Sequence, residues 1–295
     1  MPKIPHQFTQ AVFYIYPSQD DAENNTEYGA TGFFFGIESK LLDGMYYYAV
    51  TNAHVVFQEG MESPVIRVNT NENKFHFIKT SQSNWIRHFD GDDIAICPID
   101  IDSDEITGGA FTKEFIATEE FLREYSVGAG DDVFMVGRFR VHSGSSRNLP
   151  VVRFGNIAAM NDEGLYNDAT KLRQESYLVE MRSIAGFSGS PVIIYINPLM
   201  SVRSSDAPAV SMGTLGRLEI KVQIKLLGIQ WGQISYKTRA EDEFGQKYKM
   251  NVDSAMEGVI PIQKLMDLID SDEMVEMRKK SDKKNIQQRN VDITL

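Results

Sequence analysis

The chain has 295 residues, 42% hydrophobic and 24% charged, the composition of an ordinary globular protein and not of a disordered one. With 30 basic against 41 acidic residues its formal net charge is −11, a field that repels phosphate backbones and argues against nucleic-acid binding by the surface as a whole. A single cysteine, Cys97, excludes an intrachain disulfide framework, and no apolar run approaches the roughly 18 residues of a membrane span.

In chain order, the N-terminal MPKIPHQFTQAVFYIYPSQDD contains no uninterrupted apolar stretch leading to a small-residue cleavage site, so a cytoplasmic protein is expected. AVFYIY (11–16), ATGFFFGI (30–37) and MYYYAVTNAHVVF (45–57) are rich in aromatic and β-branched residues and read as strands between Asp/Asn/Gly clusters. Further strands are predicted at 65–69, 74–80, 93–99, 132–139, 150–160, 176–181 and 190–196, then at LEIKVQIKLLGIQWG (218–232). Many short strands between turn signals point to a sandwich or barrel and not to βαβ units. Helices are few. TEEFLREYSV (118–127) is one short candidate, and IPIQKLMDLIDSDEMVEMRKK (260–280) places Ile262, Leu265, Met266, Leu268 and Ile269 at helical spacing. Its first half is expected to pack on the body and its second half to extend into solvent, with 281–295 a polar tail. The stretches 200–216 and 233–256 read as surface loops or hairpin extensions. No fixed-period repeat or interdomain linker is visible.

The segment Gly186-Phe187-Ser188-Gly189-Ser190-Pro191 carries the most chemical information. A nucleophilic serine needs a tight, open turn and main-chain N–H groups free to meet an oxyanion. Glycines on both sides permit such a turn, and the N–H groups of Gly186 and Ser188 would form the oxyanion hole. Alone, the segment reads equally as an ordinary Gly-Ser turn. Thr51-Asn52-Ala53-His54-Val55-Val56, alone, reads as a core histidine, and Asp92-Asp93-Ile94-Ala95-Ile96 as a turn before a strand. Together they supply a hydroxyl, an imidazole and a carboxylate in the order His…Asp…Ser. That order separates the chymotrypsin arrangement from those of subtilisin and the α/β-hydrolases. Position 190 is serine, so the G-x-S-x-G elbow pattern fails as well.

On these residues the sequence resembles the chymotrypsin/trypsin-like serine peptidase family, nearest to compact bacterial HtrA-like members without a PDZ domain. The matches run in family order over about 30–270: TGFFFG, TNAHVV, DIAI, VFMVG (133–137), PVVRFGNI (150–157), GFSGSP, GIQWG (228–232) and GVIPI (258–262). The resemblance implies an all-β fold of two six-stranded antiparallel β-barrels with a C-terminal α-helix. The triad would lie in the cleft, with His54 and Asp93 on the first barrel (about 8–115) and Ser188 on the second (about 128–262). A peptidase domain over 1–272 is expected, then a charged helical extension and tail over 273–295. Asp92 competes with Asp93 for the carboxylate role; Asp93 is chosen because it directly precedes Ile-Ala-Ile, as in the family motif.

Family members activated by cleavage carry an aspartate immediately before the serine. Phe187 stands there and cannot accept an ion pair, so regulation by loop ordering or by an activating protein partner is the expectation. The residue six before the serine often lies at the base of the family's specificity pocket, and here it is Arg182, which would favour an acidic substrate side chain. The competing reading turns Arg182 outward or pairs it with Glu180. Gln230, Trp231 and Gly232 would offer main-chain hydrogen bonds to an extended peptide. His6, His76, His88 and His142 form no metal motif, so no metal and no cofactor is expected. Cys97 is expected to be a buried apolar residue. The implied activity is serine endopeptidase on a protein or peptide substrate. The competing readings are a catalytically silent scaffold that binds extended peptides and an esterase on another fold.

Overall fold

The computed structural model describes residues 3–26, 28–41, 44–58, 60–101, 106–181, 186–196, 222–241, 243 and 245–292, with the backbone path alone at 161–162 and 287–292. Strands β1 (Val12–Tyr16), β2 (Ala30–Glu38), β3 (Met45–Thr51), β4 (Val65–Asn69), β5 (Phe75–Lys79), β6 (Ile86–Arg87), β7 (Ala95–Ile99) and β8 (Phe111–Thr112) form a first sheet. Its order is β5-β4-β1-β2-β3-β7-β6, with β8 added parallel to β2. Strands β9 (Asp132–Gly137), β10 (Val151–Asn167), β11 (Leu172–Glu180), β12 (Pro191–Ile196), β13 (Gln223–Glu241) and β14 (Lys247–Pro261) close a second, antiparallel barrel in the order β10-β11-β14-β13-β12-β9. The all-β, two-barrel class expected from the sequence is therefore the one adopted. The first, barrel-like sheet carries eight strands where six were expected.

Burial explains the patterning. On β2, Phe34 points into the interior of the first sheet with Phe13 and Ile15, while Phe33 and Phe35 point into a core shared with Phe134, Ile193, Leu226 and Ile229 of the second barrel. A strand covered on both faces reads as a continuous apolar run and not as an alternation. Each fully buried Phe contributes roughly 1.5–3 kcal/mol, so the shared core holds the two sheets against each other and fixes the cleft between them.

Helix α1 (His6–Gln10) lends Phe8 to that core, α2 (Gln19–Asn24) caps the end of β1, and α3 (Ala53–Val56) follows β3 directly. The sequence reading ran one strand through Phe57. Instead the strand stops at Thr51 and Ala53, Val55 and Val56 turn helically into the first-sheet interior. An apolar run this short satisfies either period. Helix α4 (Glu119–Glu124) is capped by Thr118, whose hydroxyl accepts from the N–H of Phe121. In α5 (Ile262–Ile269) the five apolar residues singled out above are all buried against the shared core.

After α5 the chain continues as a charged helix, α6 (Asp272–Asp292), mostly exposed between 272 and 286 but tied to the body, with Met274 in the shared core and Asp282 almost fully buried. Asp282 accepts hydrogen bonds from Ser39 (2.9 Å) and Tyr46, and Arg278 donates to Tyr48 Oη (2.9 Å) and to the Ile269 carbonyl (2.9 Å). Polar latches hold the helix to the first sheet, and a search for apolar periodicity has nothing there to detect. No helix among the described residues is long and apolar enough to cross a membrane.

Candidate active site

His54 sits on α3 with its ring about a quarter exposed, and the Asp93 carboxylate, fully buried, lies against it. Nδ1 of His54 is 2.6 Å from Asp93 Oδ2, and the main-chain N–H of His54 donates to Asp93 Oδ1 at 2.8 Å. A buried carboxylate can only accept, so Nδ1 carries the proton and the Nε2 lone pair faces away from Asp93. Of the two aspartates, Asp93 meets His54. Asp92 turns toward His88 Nδ1 (3.3 Å) and Lys264 Nζ (3.6 Å).

Among the described residues Asp93 has no Lys or Arg beside it, and a buried charge without one must be hydrogen-bonded. Its third donor is Asn167 Nδ2, 3.0 Å from Oδ2, at the end of β10. The β10–β11 hairpin of the second barrel thus reaches across to the first. Asn167 is itself held by the Ala169 N–H on its Oδ1 (2.8 Å). From β11, Gln174 Oε1 accepts the Asp93 N–H (3.0 Å), and Asn52 Nδ2 donates to the Asp93 carbonyl (2.9 Å). None of these three was singled out in the sequence. Asn167 lies 74 residues from Asp93, and an Asn before a turn is ordinary hairpin chemistry.

Ser188 is held by the opposite sheet. Thr31 on β2 donates its hydroxyl to the Gly186 carbonyl (2.7 Å), accepts the Arg138 N–H on the same oxygen (2.8 Å), and donates its own N–H to the Ser188 carbonyl (3.0 Å). Gly186 and Gly189 have φ of 110° and 86°, in the left-handed region that favours glycine. A Cβ at Gly189 would stand 2.2 Å from the Thr31 carbonyl oxygen and 2.3 Å from Thr51 Oγ1, so glycine is also required there sterically. Phe187 is buried in the second-barrel core and gives the loop an apolar anchor. The N–H groups of Gly189 and Ser190 are used internally, on Gln230 O (2.9 Å) and Phe187 O (2.8 Å). Among the described residues, the N–H groups of Gly186 and Ser188 have no acceptor.

His54, Gly186 and Ser188 line one cavity of about 630 Å³, together with Tyr28, Gln58 and Met61. Among the described residues no hydrogen bond joins His54 to Ser188, an arrangement common where contacts tighten only with substrate. Arg182 lies outside the described residues. The expectation for Gln230 needs correction: its N–H already donates to Ser190 O (3.0 Å), its carbonyl accepts from Gly189, and its side chain is buried on Glu257 Oε2 (2.7 Å). That leaves no main-chain donor for a peptide. Trp231 sits where the β13–β14 register shifts and donates Nε1–H to Ser176 Oγ (3.1 Å). Gly232 is partly exposed with open space where a Cβ would stand. Cys97 is buried and its thiol is pushed up to about 12 by burial.

The chain is similar in fold to trypsin-like serine proteases. The HtrA-type protease AlgW with a decapeptide is 13% identical, with a TM-score of 0.46, over 92% of this chain and 66% of AlgW. An inactive serine-to-alanine mutant of Rv3671c from M. tuberculosis H37Rv is 12% identical over 88% of this chain and 85% of that one, TM-score 0.41. A scabies mite inactivated protease paralogue is 14% identical over 89% of this chain and 93% of its own, TM-score 0.42. No family model and no curated protein matches the chain. At these identities and TM-scores the likeness carries no conclusion about this chain's chemistry.

Proposed function

We propose that the chain is a serine endopeptidase that hydrolyses peptide bonds through His54, Asp93 and Ser188. The observation that carries this reading is the His54–Asp93 pair at 2.6 Å, opening on the same cavity as Ser188. With Nδ1 protonated, Nε2 is the basic nitrogen. It takes the Ser188 Oγ proton as Oγ bonds to the substrate carbonyl carbon and the carbonyl electron pair moves onto oxygen. Asp93, held by Asn167 and by the His54 N–H, keeps the imidazole in that tautomer and stabilises the imidazolium. The Gly186 and Ser188 N–H groups receive the oxyanion; loss of one such donor typically costs about 10²–10³ in rate. Collapse breaks the C–N bond, the imidazolium proton leaves on the amine, and water repeats the sequence on the acyl-enzyme.

The test is a fluorophosphonate probe followed by digestion of a peptide library. Covalent labelling and cleavage that both vanish in Ser188→Ala are expected. A folded wild-type protein that neither labels nor cleaves would leave a peptide-binding scaffold as the reading. Labelling with turnover of simple esters but no peptide would point to an esterase. A preference for Glu or Asp before the cut would support Arg182 as a specificity residue.

A further inference from the structure

Strand β13 is paired with β14 from Gly228 to Glu241, but on its other edge β12 accompanies it only as far as Ile229. Gln230 completes the match through Ser190 and Gly189. From Trp231 to Glu241 that second edge has no strand beside it among the described residues. At about 3.4 Å per residue it is about 34 Å long, and it starts beside the Ser188 loop. Long bare edges are normally blunted, because they recruit other strands.

The β13–β14 ribbon also has two unlike faces. Tyr236 pairs with Val252, Thr238 with Met250 and Ala240 with Tyr248, which gathers apolar groups on one face. Tyr236, Met250 and Tyr248 are 55%, 47% and 45% exposed. The opposite face carries four cations, Lys237, Arg239, Lys247 and Lys249, against two carboxylates, Glu241 and Asp253 at its two ends, with Arg239 directly across from Lys249. Like charges set opposite one another destabilise a ribbon unless an anion lies between or beside them. Among the described residues only Lys247 has an acidic partner, Glu241 at 3.9 Å. A concentration of cations in a chain of net charge −11 marks a surface complementary to acidic groups.

We propose that this edge docks an extended acidic polypeptide as an added strand, with acidic side chains at alternate positions against Lys237 and Arg239 and apolar side chains between them against Tyr236. The strand continues the place of β12, which runs antiparallel to β13 with its N-terminal end at Gln230. A peptide lying antiparallel on the edge therefore has its C-terminal end at Ser188 and its N-terminal end near Glu241. The inference rests on the peptidase reading to the extent that it names the substrate class: segments alternating acidic and apolar residues for about ten positions before the scissile bond.

Binding is measured by fluorescence anisotropy on full-length Ser188→Ala, using a fluorescein-labelled decapeptide that alternates Glu and Val. Comparison peptides carry Lys in place of Glu, or N-methyl groups on one or the other alternate set of amides. The alternating peptide is expected to bind in a salt-sensitive way, and the Lys peptide and one N-methylated set at least about tenfold more weakly. The double variant Lys237→Glu/Arg239→Glu is expected to lose at least about tenfold in affinity with an unchanged thermal melt, both sites being exposed. The proposal is overturned if no peptide binds, if the Lys peptide binds equally, or if the double variant binds as tightly as its parent. It also falls if the edge pairs with a second copy, seen as a dimer by sedimentation that the double variant abolishes, or if a single-stranded oligonucleotide binds more tightly than the peptide. Because the assay needs no catalysis, peptide binding without fluorophosphonate labelling of the wild type refutes only the enzymatic reading. Labelling without peptide binding refutes only the docking edge.

Discussion

Changing Asn167→Asp replaces one donor nitrogen by oxygen, 3.0 Å from Asp93 Oδ2 in a buried site. If both carboxylates stayed charged, their repulsion would be about 5.5 kcal/mol at that distance and an effective dielectric of about 20. The lost charge-assisted hydrogen bond adds roughly 1.5–3 kcal/mol. Taking up one proton is cheaper, since holding it at pH 7 on a carboxyl with an ordinary pKa of about 3.9 costs about 4.2 kcal/mol. The variant should therefore fold with one proton between the two carboxyls, and the O–H restores the donor that Asn167 supplied. The folded state then binds one more proton than the unfolded, so stability relative to wild type rises as pH falls, by about 1.4 kcal/mol per unit. Urea unfolding should give a deficit of about 4 kcal/mol at pH 7, shrinking to about 1.5 kcal/mol at pH 5. Asn167→Ala, which only deletes the donor, should show a deficit of roughly 1.5–3 kcal/mol that does not depend on pH over this range. An Asn167→Asp deficit that is flat with pH, or below about 1 kcal/mol at pH 7.5, would show that Asn167 does not hold the Asp93 charge.

Two further outcomes follow from the same network and its neighbour. Thr31→Val keeps the side-chain shape but orphans the buried Gly186 carbonyl and Arg138 N–H, at roughly 1–3 kcal/mol for each group. Unfolding free energy and fluorophosphonate labelling should fall together, and a variant with wild-type stability would mean that the Ser188 loop is held by other contacts. His88 is buried beside Asp92, Asp90, Lys264 and Asp267, and burial, the largest influence, lowers its pKa. The unfolded chain then binds the proton more readily, so this contribution is complete above about pH 6.5 and is lost as pH falls through the lower folded-state value. Thermal melts between pH 7.5 and 5 should show a steeper decline for wild type than for His88→Asn; parallel curves would exclude His88 as the titrating group.

Much of the fold was legible because it is written in local patterns. Short aromatic and β-branched runs between turn residues mark strands whatever surrounds them, and the five apolar residues of α5 sit at the spacing that buries them. The errors lay where local signals are ambiguous or polar. The apolar run 45–57 fits both strand and helix periods, and only packing of Val55 and Val56 into the first sheet turns it at Thr51. The docking of α6 depends on Asp282 and Arg278, each an ordinary surface residue until Ser39, Tyr46 and Tyr48 are brought against it.

The same division runs through the site. The sequence by itself determined which chemical groups the chain has to offer, namely a histidine, an aspartate and a glycine-flanked serine in one order, because side-chain chemistry and turn glycines are properties of single residues and their neighbours. Only the tertiary structure decided which aspartate meets His54, that Asn167 from the other barrel completes its shell, and that the Gln230 main chain is already spent on the Ser188 loop. Those are distances between residues tens of positions apart, and they are set by how two covered sheets share one core.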